Sequence, residues 1–427
     1  MSTASAQTKG GFHYAFLIVA SCIVFTGIPC ALVLSCSGIY YDPVSTYFDV
    51  PKATFTLYFS ILNIAMMITL PIAGKLMTKI DLRVILSICA ILDGVSMLAM
   101  SQFTQVWMFY ITGVTLGMGT APLLYLATPT LINAWCRKKV GFFIGLAMAF
   151  TGIGGVIFNM VGSYFIGLSD EGWRTGYMVF GILILVCTLP FTIFVIRSNP
   201  EDKGLLPYGA EEVVDDSGNA SAAAMTGVSA NKAMKTGVFV LIALFAFCIT
   251  LNQTVYQFMP SYASSFADTV PAIAAVSGAM ASACMAGQAI GKVVLGAVND
   301  KSAHAGLFLG LGCGFVAVAL MWFLPVSAII MMVAAFVFGF VYACTNVEAP
   351  LLTRSVFGSR DYTNIWSRVS MAGTLGGVIA PTLFAYLVDL PGGFNIMFAV
   401  SFVCMAVCLI CGLVALKSRG KIPWTTE

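Results

Sequence analysis

The sequence predicts an all-α membrane protein of twelve transmembrane helices, arranged as two pseudo-symmetric six-helix bundles. Three observations predict it. The 427-residue chain is 59% hydrophobic and 9% charged, whereas soluble domains carry about 25% charged residues. Its apolar runs recur at lengths that cross a hydrocarbon core of about 30 Å. One long polar segment, 197–236, separates the early runs from the late ones.

Residues 1–11, "MSTASAQTKGG", form a short polar tail. The apolar stretch that follows is too long for a signal-peptide core and shows no small-residue cleavage site, so it reads as a retained first span. Spans are expected at roughly 12–38, 54–73, 83–103, 107–130, 141–165 and 176–196, making a first bundle over 12–196. The segment 197–236 is acidic in its middle and rich in Ala, Ser and Gly. That composition cannot offset the entropy of ordering, so a flexible linker is expected. The second bundle, 237–416, holds runs at roughly 237–258, 271–297, 303–324, 326–349, 364–388 and 394–416, and 417–427 is a polar tail.

Orientation follows from the cations. Lys75, Lys79, Arg83, Arg137, Lys138, Lys139, Lys301, Arg354 and Arg360 lie in loops on the side of the termini, with Lys417, Arg419 and Lys421 in the tail. The other side has only Lys52 and Arg174. Both termini and the linker are therefore expected in the cytoplasm, with the protein multi-pass in the cell membrane.

Several function classes are excluded. A net charge of +3 is too small to imply a nucleic-acid partner. The 13 cysteines are scattered singly, with no CxxC pair. Cys404, Cys408 and Cys411 share a helix face and read as small packing residues, so no metal or other cofactor is expected. There is no phosphate-binding GxxxxGK[ST] and no dinucleotide fingerprint. The two histidines, His13 and His304, form no catalytic constellation, so the chain is not expected to be an enzyme.

Four ionisable residues lie inside predicted spans: Asp93, Lys292, Glu348 and Arg368. Each costs about 2.5–3.5 kcal/mol at a helix centre and needs a partner or a use. Lys292 lies eight residues before Asp300, about 12 Å deep at ~1.5 Å per residue. Its segment "AGQAIGKVVLG" carries Gly287, Gly291 and Gly296, small residues that let helices approach closely. It is a candidate substrate cation; an ion pair with another helix and snorkelling are the alternatives. Asp93 is about 15 Å deep by the same rise, with a structural, a proton-coupling and a substrate-contact role all open. Glu348, near the end of its span, is a second coupling candidate or a wetted surface group. Arg368 is a substrate cation or an anchor at the inner gate.

Residues 296–301, "GAVNDK", and 74–83, "GKLMTKIDLR", occupy matching places six helices apart, a weak internal repeat. Twelve helices as six plus six, a central loop, and G-x-x-x-D-K after the eighth helix resemble the major facilitator superfamily. The motif matches at Gly296, Asp300 and Lys301. The first copy keeps Gly74, with Thr78 at the Asp position and Asp81 near its end. "GWR" at 172–174 is also frequent in that family. A cation deep in the eighth helix and another early in the eleventh are similar to the oxalate/formate antiporter and monocarboxylate transporter branch. "YDPV" at 41–44 and "NPEDKGLLPYG" at 199–209 are shared features of that branch.

The resemblance implies that Lys292 faces a central cavity, and Arg368 with it. Arg368 stands one residue before the branch's position, which Val369 fills, and a one-residue shift turns a side chain by about 100°. It also implies cavity roles for Tyr125, Tyr342, Phe338 and Thr151. Ser35 and Thr151 stand where oxalate carriers have tyrosines, which suggests a roomier pocket and another substrate. Asn252, Gln253 and Tyr256 in "TLNQTVYQF" are further candidate contacts, or a polar packing face. The function expected is a secondary active transporter moving a small organic anion, a mono- or dicarboxylate, by alternating access, through exchange or proton symport. The alternative is an exporter of a lipophilic or cationic compound, although helices 1 and 4 carry no embedded acid. Expected partners are the anionic substrate, the lipid bilayer and protons, and a monomer is expected.

Overall fold

A computed structural model describes residues 13–210, 212–214, 220–222, 225–266, 270–324, 327–422 and 424; the N-terminal tail at 1–11 lies outside the described residues. Among the described residues, twelve helices are long and apolar enough to span a membrane. They are helix 1 (Ala15–Tyr47), helix 2 (Ala53–Met77), helix 3 (Leu82–Met100), helix 4 (Val106–Trp135), helix 5 (Val140–Ile166) and helix 6 (Gly172–Val195). The second half has helix 7 (Gly237–Ser264), helix 8 (Pro271–Asn299), helix 9 (Ala303–Phe323), helix 10 (Ala328–Phe357), helix 11 (Tyr362–Asp389) and helix 12 (Gly393–Ser418). The predicted fold class therefore holds.

Several ends differ from the sequence expectation. Helix 1 runs past Gly38 to Tyr47, through a polar stretch that hydropathy alone would end. Packing holds it there: the ring of buried Tyr40 stacks on Tyr177 with centroids 3.9 Å apart. Prolines set the irregular windings. Helices 1, 4 and 6 widen to π-type turns at Thr26–Ser35, Pro122–Ala127 and Phe191–Val195, at or just after Pro29, Pro122 and Pro190. A proline removes one i→i−4 bond, and a widened turn accommodates the loss. Helix 7 tightens over Thr254–Phe258, and helix 10 is interrupted between Cys344 and Glu348.

Within each half, helix 2 packs on helix 4, helix 3 on helix 6, helix 8 on helix 10, and helix 7 on helices 11 and 12. Two seams join the halves, helix 5 against helix 8 and helix 2 against helix 11. An even number of crossings puts the termini and the linker at one end, here called the linker face.

The seams are shut at the linker face. Asp300, after helix 8, accepts from the backbone N–H groups of Gly141 (2.7 Å) and Phe142 (2.9 Å) at the start of helix 5. An acceptor with full negative charge at a helix N-terminus satisfies orphan donors and the macrodipole together. Beside it, the backbones of Gly141 and Gly296 approach so closely that a Cβ on either would strike the other's carbonyl oxygen. Beside the second seam, helix 11 also bonds to helix 4: Trp366 Nε1 donates to the Tyr125 carbonyl at 2.6 Å, and Thr130 and Thr363 share a hydrogen bond at 3.1 Å. Arg354 Nε also donates to Asn133 Oδ1 across the halves. Toward the opposite face helix 5 parts from helix 8: Gly152 still has helix 8 atoms in ordinary contact, whereas Val156 and Met160 are exposed.

The two loop motifs behave differently. Asp300 crosses between halves, but Asp81 caps its own helix 3, accepting from the Arg83 N–H at 2.9 Å. The Arg83 side chain also bonds it and holds its carboxyl below the ordinary range. Thr78, at the Asp position of this copy, donates to the Lys75 carbonyl instead. Gly74 packs against Ser367 of helix 11, and Lys301 is exposed.

The expectation of a flexible linker needs correction at both ends, because backbone pairing anchors them. Tyr208 N–H donates to the Trp135 carbonyl (2.8 Å), and Arg137 N–H to that of Tyr208 (2.9 Å), after helix 4. Val228 N–H donates to the Phe357 carbonyl (2.9 Å), and Ala230 N–H to Asp361 (2.7 Å), after helix 10. The linker thus grips equivalent loops of the two halves. Between the anchors, Glu212–Val214 and Ala220–Ala222 pair antiparallel.

Asp300→Asn should weaken the linker-face closure. Losing a charge-assisted acceptor costs roughly 1.5 kcal/mol, about a tenfold change in a two-state equilibrium. Spin labels at positions 138 and 301, in a background without native cysteines, should report about tenfold more of the parted population; an unchanged distance distribution would show that the contact does not hold the gate.

Candidate functional site

Lys292 is 1% exposed. Its Nζ donates across the seam to Thr151 Oγ1 at 2.8 Å and to the Met148 carbonyl at 3.2 Å, both on helix 5. No ion pair to it is found among the described residues. Glycine explains how the two helices come close enough. Gly145 sits against the Lys292 backbone carbonyl, where a Cβ would collide. The two neutral acceptors bring no counter-charge to the Lys292 ammonium, an arrangement that favours an anion beside it.

Thr151 is thus brought to Lys292. Tyr342 lies beside Tyr256, ring centroids 5.2 Å apart, and near Tyr125. The Tyr125 hydroxyl lies near Thr374 on helix 11. Tyr256 sits in the tightened turn of helix 7, close to Tyr41 of helix 1. Phe338 is fully buried one turn before Tyr342, and Gln253 is half-buried. Phenol hydroxyls from helices 4, 7 and 10 therefore gather from both halves.

Two placements correct the sequence expectation. Asn252 does not face the tyrosines; its Oδ1 accepts from Ser401 of helix 12, an outer helix of its own half. Four places apart, the two would share a face on a regular helix, but the winding tightens from Thr254 between them and Asn252 falls on the packing face. Arg368 does not join Lys292. It lines a lateral groove with Pro71, Ile72, Lys75 and Leu76 of helix 2 and Lys79 just beyond that helix. It shares its helix stripe with Met371, Leu375 and Ile379, all exposed on the membrane-facing side. Val369, one residue on, is fully buried; the turn of about 100° per residue carries Arg368 off the inward face.

Asp93 is fully buried between helices 3 and 4, where Thr120 Oγ1 donates to its carboxylate oxygens at 3.1 and 3.2 Å. Glu348 is also fully buried, which corrects the reading of a wetted group. Asn299 Nδ2 donates to its Oε2 at 2.6 Å, while its Oε1 has no partner. Gln288 was missed from the sequence. It lies one turn before Lys292, is 3% exposed, and leaves Oε1 unpartnered. The available signal was a polar residue four places before the lysine in "GQAIGK".

Comparison with known proteins follows the same lines. A family model described as Major Facilitator Superfamily matches residues 15–347 and 272–426. The chain is 21% identical to "Monocarboxylate transporter 12" of Xenopus laevis, over 96% of this chain and 90% of that protein. It is 22% identical to "Probable sulfoacetate transporter SauU" of Cupriavidus necator, over 77% of each. Among solved structures it resembles the E. coli fucose:proton symporter, with a TM-score of 0.69, 14% identity, and coverage of 95% of this chain and 99% of that one. A proton:xylose symporter superposes with a TM-score of 0.64 at 14% identity, over 96% of each chain.

Proposed function

The chain belongs to the major facilitator superfamily, a family of membrane transporters, and from that premise we propose that it moves a small organic monocarboxylate by alternating access. One observation carries the substrate class: Lys292 is enclosed at the seam with neutral acceptors and no carboxylate in ion-pair range. The substrate's carboxylate accepts the third Nζ–H and the Thr151 hydroxyl proton, and the hydroxyls of Tyr125, Tyr256 and Tyr342 bind its remaining polar atoms. One cation in the site favours one negative charge over two. The names of the two carboxylate- and sulfonate-handling relatives support the anion class.

The rocking of two halves about a midplane site is the family's geometry. Here the seams are shut at the linker face, and opening there requires Asp300 to release helix 5. The cation-rich loops put that face, both termini and the linker in the cytoplasm of the cell membrane, with the protein acting as a monomer. The segment 197–236 joins the bundles 12–196 and 237–416, and helix 12 carries the second bundle on to Ser418, into the tail expected at 417–427.

The test is a counterflow screen in proteoliposomes. Small monocarboxylates should exchange with labelled substrate and dicarboxylates less well. Competition by quaternary amines, with none by carboxylates, would overturn the anion class. Thr151→Val should raise KM about fivefold by removing one hydrogen bond of about 1 kcal/mol near the bound anion, with little change in membrane abundance. An unchanged KM would remove Thr151 from the site.

A further inference from the structure

Arg368, set aside from the central site, raises its own question. An arginine on the membrane-facing stripe of a helix is costly unless something neutralises it. Its groove, about 560 Å³, is lined by Pro71, Ile72, Lys75, Leu76, Lys79 and Arg368, three cations and no carboxylate. Lys75 lies in the last turn of helix 2 and Lys79 two residues past its end, so two like charges stand close together and repel. Neither lysine has a side-chain hydrogen bond or ion pair among the described residues, and both are exposed. Arg368 Nη1 donates to the carbonyl of Asn364, on its own helix, at 2.7 Å, which leaves its charge uncompensated.

Nearby acids are already engaged. Asp81 is bonded by Arg83. Asp361 accepts from Ala230 N–H at 2.7 Å and from Asn364 Nδ2 at 2.8 Å. The cations therefore await an anion from outside the chain. The walls say what kind. From the charged end, exposed Ile72, Ile68 and Ile64 continue along helix 2, and Met371, Leu375 and Ile379 along helix 11. An anionic head at one end and two apolar rails running toward the membrane centre match a phospholipid: headgroup on the cations, acyl chains along the rails.

We propose that this groove binds the phosphate headgroup of an anionic phospholipid in the linker-face leaflet, with Lys75, Lys79 and Arg368 as its ligands. The site spans the seam between helices 2 and 11, one residue set from each half. A bound lipid therefore ties the halves together at the closed face, and its departure accompanies opening there.

Native mass spectrometry of the purified full-length protein tests this. After equilibration with equal amounts of dioleoyl phosphatidylglycerol and dioleoyl phosphatidylcholine, the wild type should retain the anionic lipid at least about tenfold better, the scale expected for several cations on one anionic headgroup. K75Q/K79Q/R368Q should lose that preference, whereas R368K, which keeps the charge, should retain most of it. K417Q, which removes a cation outside the groove, should match the wild type. Should the triple variant fail to fold, the wild type's thermal stability decides: phosphatidylglycerol should raise Tm and phosphatidylcholine should not. Equal retention of both lipids by the wild type, equal effects on Tm, or an undiminished preference in the triple variant would overturn the proposal. So would displacement of the lipid by glycerol 3-phosphate alone, which would mark the groove as a site for a soluble anion.

Discussion

Lys292→Gln should reduce transport by at least about a hundredfold while leaving the protein folded in the membrane. Removing one partner of an enclosed charge pair costs about 2–5 kcal/mol, and each ~1.4 kcal/mol is tenfold. Glutamine is long enough to keep a hydrogen bond to Thr151 but brings no charge to the substrate carboxylate. The empty protein should not suffer, because an enclosed cation with neutral partners contributes little net stability. Lys292→Arg should keep part of the activity, since the charge remains while the planar fork replaces a compact ammonium. Initial rates of labelled-substrate uptake, normalised to membrane abundance, check both. Wild-type rates in the Gln variant would remove Lys292 from substrate binding and leave the anion class without its main support.

The twelve spans were legible because crossing a bilayer demands length and apolarity, and both are written in composition. The polar end of helix 1 was not. Cys36 to Tyr47 lacks the hydropathy of a span, and its helix persists because Tyr40 is stacked on Tyr177, a partner 137 positions away that no local pattern reveals. The direction of a single side chain was legible only where a second constraint existed. Lys292 stands among glycines, so close packing around it could be anticipated, and Gly145 supplies that packing from the other half. For Arg368 the informative signal was the one-residue offset from Val369, which the helix period turns into a different face. Asn252 and Tyr256 shared one polar string, but a tightened turn begins between them, and only Tyr256 reaches the other tyrosines. The linker's composition described its middle and not its ends, because pairing with the loops after helices 4 and 10 is a backbone matter with little sequence signature.

External substrate should accelerate efflux from preloaded proteoliposomes by more than about tenfold. With Arg368 outside the site, Lys292 alone sets its charge, and the reorienting empty carrier must hold an uncompensated cation where the halves part. A carboxylate about 4 Å away contributes about 4 kcal/mol at an effective dielectric constant near 20. Even half of that, after desolvation, leaves the loaded form moving more than tenfold faster than the empty one. Exchange is then the favoured cycle, and a monocarboxylate neutralises the site where a dicarboxylate would leave a net negative charge. Asp93 gives the control that separates exchange from proton symport. It is buried between helices 3 and 4 with Thr120 as its hydrogen-bond partner. Asp93→Asn keeps an acceptor for the Thr120 hydroxyl and removes the titrating carboxyl. Counterflow should therefore survive in the Asn variant at close to the wild-type rate. Glu348→Gln, at the other buried carboxyl, should behave the same way. Efflux that is indifferent to external substrate, together with pH-driven accumulation that either substitution abolishes, would establish symport instead and place the coupling proton on the carboxyl whose loss abolishes it.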